Sequence, residues 1–83
     1  MAVELKFPVV AHQRIIVNAA QRDDARAKAC FADFDLSEPL TVANVSSGGK
    51  YVSYAISVRL ADRDEMARFD EAVKRVPGIK MCL

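Results

Sequence analysis

Two helices laid on one face of a four-stranded antiparallel sheet, an α+β two-layer sandwich, is the fold class this sequence predicts. Three observations lead there. Residues 51–60 alternate between apolar and small or polar side chains, the period of a strand with one buried face. Two segments, Ala25–Phe34 and Met66–Val76, instead repeat their apolar residues at spacings of three and four, the helical period. Strand-like and helix-like segments then follow in the order β-α-β-β-α-β over 83 residues, the length of one domain.

Residues 1–8 read as a short N-terminal extension, with Phe7-Pro8 marking entry into a strand over Val9–Ala19. Its Ile15-Ile16-Val17 cluster is β-branched and suits a pleated surface. Alternation puts Val9, Ala11, Ile15 and Val17 on one face, and His12, Arg14 and Ile16 on the other. Gln21-Arg22-Asp23-Asp24 supplies a cap and acids for a helix start, and the alanine-rich Ala25–Phe34 follows. Ala27, Cys30, Phe31 and Phe34 share its apolar face. The segment Asp35-Leu36-Ser37-Glu38-Pro39 ends this helix as a break, because proline lacks a backbone donor. A second strand is expected over Leu40–Val45, then a glycine-containing turn over Ser46–Lys50. The third strand, Tyr51–Leu60, sends Val52, Tyr54, Ile56, Val58 and Leu60 to the core. Asp62 with Glu65 has the spacing of a capping box. The helix they open buries Met66, Phe69, Val73 and Val76, and Pro77-Gly78 stops it. In a final strand Ile79, Met81 and Leu83 face the core and alternate with Lys80 and Cys82. Packed economically, these elements form a ferredoxin-like split β-α-β sandwich with the first and third strands innermost.

Three blocks of this pattern carry a resemblance: Phe7-Pro8, Ser46-Ser47-Gly48-Gly49-Lys50-Tyr51, and Ile79-Lys80-Met81-Cys82-Leu83. From about Phe7 to Leu83 the chain resembles the YbeD-like family, small bacterial proteins of unassigned biochemical function. The resemblance implies a ferredoxin-like fold similar to the ACT regulatory domains that sense amino acids in metabolic enzymes. It implies a cytoplasmic protein, and a link to lipoate metabolism has been suggested for the family. The family has no established catalytic residues, so none is carried over.

Composition narrows the function classes. Twelve basic against eleven acidic residues leave a net charge of +1, which argues against a histone-like nucleic-acid protein. No apolar run approaches a membrane span, and Glu4, Lys6 and Arg14 interrupt any signal-peptide core, so no membrane role is expected. Cys30 and Cys82 lack a CxxC spacing, and His12 is the only histidine, too few ligands for structural zinc. Both thiols are read as reduced, on opposite sides of the sheet. No cofactor or metal is implied. Ser46–Lys50 lacks the strand-to-helix setting of a phosphate loop, and Asp23-Asp24 and Asp62-Arg63-Asp64-Glu65 fit helix starts better than calcium loops.

The open sheet face is where the sequence concentrates its candidates. His12, Arg14, Arg59 and Lys80 collect there, and all eleven acids fall outside the expected strands, so no carboxylate neutralises them. A one-sign surface attracts anions, which makes these four residues the candidate ligand site. Cys82 is placed beside Lys80, whose charge would lower a thiol pKa. Ile16, Tyr51, Ala55 and Cys82 add a mildly apolar group. If Val45 pairs with Val52, Thr41, Ala43 and Val45 point inward and Leu40 and Val42 outward; a one-residue shift reverses this. With Leu40 and Val42 outward, the face suits a protein partner or a homodimer through the sheet.

The leading expectation is a non-catalytic regulatory or interaction module, sensing a small anionic metabolite or docking on a metabolic enzyme. RNA binding through the open sheet is the alternative, held back by the single outward aromatic, Tyr51. A small ferredoxin-like enzyme such as an acylphosphatase is the third class. It lacks support because Gln21-Arg22 follows the first strand without a glycine-rich anion loop.

Overall fold

The structure is a computed structural model that describes residues 6–83. Glu4 and most of the expected N-terminal extension lie outside the described residues. Four strands and two α-helices follow in the expected order: β1 (Val9–Asn18), α1 (Asp24–Cys30), β2 (Asp35–Val45), β3 (Tyr51–Leu60), α2 (Arg63–Lys74) and β4 (Ile79–Cys82). A single 3₁₀ turn, Ala19–Gln21, joins β1 to α1. The strands form one antiparallel sheet in the order β2-β3-β1-β4, so β1 and β3 are central. Both helices pack on one face, giving the ferredoxin-like α+β sandwich.

The core forms where the periodicities meet. Ile15 and Val17 from β1 join the five even-numbered apolar residues of β3, and Ala27, Phe31, Phe69, Val73 and Val76 close over them. Phe31, Phe34 and Phe69 form an aromatic cluster with ring centroids 5.3–6.4 Å apart. Asp23 and Asp62 cap the two helices, accepting from the Arg26 and Glu65 amides. Glu65 reaches back to the Ala61 amide, one residue before the cap. The turn between β2 and β3 places Gly48 and Gly49 at positive φ, as such a reversal requires.

Three elements depart from the sequence expectation. Helix α1 stops at Cys30; the chain continues in turns with bonds from Phe31 to Lys28, Ala32 to Ala29 and Phe34 to Phe31. Its early end has a cause in the sheet, because β2 starts at Asp35 opposite Arg59 and pairs along most of β3. The expected break around Pro39 is therefore strand. Proline is tolerated because β2 is an edge and its register slips between Glu38 and Thr41.

The third departure concerns which side chains face out. Val45 does pair with Val52, but a slip between Val42 and Asn44 reverses the faces beyond it. Thr41 then lies opposite Ala55 on the open side, Val42 opposite core-facing Tyr54, and Leu40 is buried. Strand β4 slips too: Val17 faces Ile79 and Ile16 faces Met81. One extra residue turns Met81 to the open side and Cys82, opposite Ile15, to the helix side.

Candidate functional site

The open face reads as a series of rows across the strands. Glu38, Ser57 and His12 form one row, and Thr41, Ala55 and Arg14 the next. Beyond these come Asn44, Ser53, Ile16 and Met81. Tyr51, opposite Asn18, closes the series, with Lys80 Nζ 5.9 Å from its ring centroid. At the other end Arg59 sits opposite Val10 and Asp35.

The first row is hydrogen-bonded throughout. Ser57 Oγ donates to Glu38 Oε1 at 2.9 Å and lies 2.7 Å from His12 Nδ1. A hydroxyl has one hydrogen, so Ser57, having donated to Glu38, accepts from the Nδ1–H of His12. That fixes the imidazole with Nε2 directed away from the chain of bonds. Ser57 is 4% exposed, covered by its two partners. These residues and Arg14 line a shallow depression of about 410 Å³ whose floor includes Ala55.

This geometry overturns the expectation of a basic face without carboxylates. Asp35 and Glu38 belong to β2, and they approach Arg59 and His12 at 3.8 and 3.9 Å. Extending the strand through Pro39 is what brought them onto the sheet. Nor do the four candidate residues converge. Arg14 and Arg59 pair with Ala55 and Val10, four positions apart along the central strands, or roughly 13 Å. Lys80 stands at the opposite end from Arg59. Only His12 and Arg14 share a depression. Arg14 makes no ion pair among the described residues.

Cys82, too, stands elsewhere than the sequence predicts. It lies on the helix side, donating to Gln13 Oε1 at 3.1 Å, and not beside Lys80. Burial pushes its thiol pKa up, and Asp70 adds to the rise, the opposite of activation. Cys30 is carried by α1, so the two thiols are on the same side of the sheet, and both are free.

Met81 takes the place expected for Cys82 in the apolar group. With Ile16 and Tyr51 it surrounds a second shallow depression of about 400 Å³, edged by Lys80 and Asn44. Leu83 exchanges backbone bonds with Arg14 and lines the polar depression beside it.

Two features lie beyond the reach of local pattern. Alternation along β3 is enough to put Ser57 on the open face, but its pairing with His12 depends on a register that no local pattern encodes. The other is a cluster at the helix side: Tyr54 donates its hydroxyl to Asp24 Oδ1 at 2.5 Å, and Arg22 grips the same carboxylate at 2.7 and 2.8 Å. The Arg22 and Tyr54 hydrogen bonds lower the Asp24 pKa to about 2, while burial, with Asp24, lifts Tyr54 to about 12. Among the described residues there is no cluster of three or more groups able to hold a metal, and no helix is long and apolar enough to cross a membrane.

A comparison with family models matches residues 3–83 to the family described as "Protein of unknown function (DUF493)". No curated protein and no solved structure matches the chain. The match covers nearly the whole sequence, including every strand and helix of the sandwich, and the chain belongs to this family of proteins of unknown function, the YbeD family.

Proposed function

We propose that the chain is a non-catalytic interaction module that docks on a protein partner through the open face of its sheet. One observation carries this reading: an uncovered sheet whose Ile16, Tyr51 and Met81 form an apolar strip, with Met81 47% exposed. Large apolar side chains grouped on one face mark interaction surfaces, whereas scattered ones do not. The cations next to the strip are Lys80 and Arg14; the carboxylates of the face, Asp35 and Glu38, lie farther along. A segment with aliphatic or aromatic side chains and flanking carboxylates complements that pattern. A regulatory role is part of the same proposal: a domain docked on an enzyme through this face would act on it without chemistry of its own.

The test is a selection from a displayed peptide library, followed by amide chemical-shift mapping on the isotope-labelled chain. Acidic, apolar-anchored peptides that perturb Ile16, Ser53 and Met81, and are lost with Met81→Asp, are the expected result. A single-stranded RNA oligomer serves as the comparison. Tighter, strongly salt-dependent binding of the oligomer on the same amides would replace docking by the RNA reading. Peptides that map to the helices would overturn the choice of face.

A further inference from the structure

We infer that the polar depression at the centre of the open face is a binding site for a small ampholyte, a molecule with a carboxylate at one end and an ammonium at the other. The site is separate from the apolar strip and stands without the docking reading.

Its walls are of opposite charge. Arg14, on β1, offers a guanidinium with no ion-pair partner among the described residues. Across the central strand, Glu38 offers a carboxylate of which one oxygen is engaged by Ser57. The two are separated by two strands and one row, roughly 12 Å between Cα atoms, and both side chains line the same hollow. Between them the floor is Ala55, whose single methyl leaves the space.

The hydrogen-bonded row explains why Glu38 stays in place. Ser57 is buried and holds the carboxylate from below, and His12 completes the chain. A carboxylate anchored this way repels a simple anion entering the hollow, while it attracts the ammonium of a ligand whose carboxylate meets Arg14. His12 Nε2 and the Thr41 hydroxyl add hydrogen-bonding groups at the rim. The sequence-level expectation of an anion site thus becomes, with Glu38 on the sheet, a site for both signs.

The probes are γ-aminobutyrate and its one-charge counterparts, butyrate and butylamine, titrated against the labelled full chain. The expected result is saturable shifts of the Arg14, Ala55 and Ser57 amides, with each counterpart weakened about 1.5- to fivefold, the range of one exposed ion pair. Glu38→Gln should abolish the preference over butyrate, and Arg14→Gln the preference over butylamine. Ala55→Leu should remove all three while leaving the thermal midpoint close to that of the parent chain. Equal binding of butyrate and γ-aminobutyrate, or saturation undiminished in Ala55→Leu, would overturn the inference. So would the absence of saturable shifts with γ-aminobutyrate.

Discussion

Tyr54 places its ring in the core at 1% exposure and its hydroxyl at the start of α1, where Asp24 accepts it. A buried phenol left without a partner costs stability, so the bond to Asp24 is what permits a tyrosine at this core position. Tyr54→Phe should therefore cost about 1 kcal/mol in urea unfolding, tempered by the partial exposure of Asp24. The same variant should raise the Asp24 pKa toward its ordinary value. The sign of the pH dependence follows from the direction of each shift. Asp24 falls from 3.8 to about 2 on folding, so its stabilisation is present above pH 3.8 and is lost as the pH falls toward 2. Asp24→Asn should flatten that acid limb of the melting temperature. Tyr54 rises from 10.0 to about 12, so its contribution is intact below pH 10 and is lost as the pH climbs through 12. In Tyr51→Phe, tyrosinate absorbance should show the Tyr54 phenol titrating late; an ordinary titration of Tyr54 would remove the Tyr54–Asp24 bond from the account.

Phe69 packs α2 against the end of α1, where it meets Phe31 and Phe34 at 5.3 and 5.5 Å. Phe69→Ala should cost about 3–5 kcal/mol, measured by denaturant unfolding, because these rings cannot collapse fully into the space left. A loss below about 1 kcal/mol would mean that the helix is anchored elsewhere. The junction from α2 to β4 depends on a different device. Gly78 sits at φ 73°, and a Cβ there would stand 2.9 Å from the Gln21 Cβ and 3.1 Å from the Asn18 carbonyl oxygen. Gly78→Ala should destabilise by more than about 1 kcal/mol, through backbone strain and that contact together. Strand β2 is a further case of an element shaped by its neighbours. Pro39 and the register slips make it a poor edge for pairing with another chain.

Across the whole molecule the open face is divided: a charged end with Asp35 and Arg59, a polar depression at the centre, and an apolar end with a cation over Tyr51. The division has a consequence for the two arginines singled out from sequence. Because they lie four positions apart along the central strands, they act on a ligand independently. The effects of Arg14→Gln and Arg59→Gln on binding of γ-aminobutyrate should add to within about 0.5 kcal/mol, with nearly all of the loss from Arg14. Both variants should keep the parent melting temperature to within the shift of an exposed side chain. A strong non-additive coupling would mean that the two guanidinium groups meet at one ligand.

Fold class, element order, the inner strands, the cap of α2 and most of the core are legible in the residues alone. These are properties of local periodicity: the alternation over Tyr51–Leu60 and the capping pair Asp62 and Glu65 need no knowledge of distant residues. Where α1 ends, which face Met81, Cys82 and Leu40 take, and that Glu38 stands beside His12 emerge once the strands have paired. Each of these turns on register and on extra residues in the edge strands. A one-residue slip moves a side chain through the sheet, and its cost is set by the partner strand, not by the slipping segment's own sequence. The candidate site was legible as a face and as a list of cations; its carboxylate was hidden by a proline that is a break in a helix but admissible at the edge of a sheet.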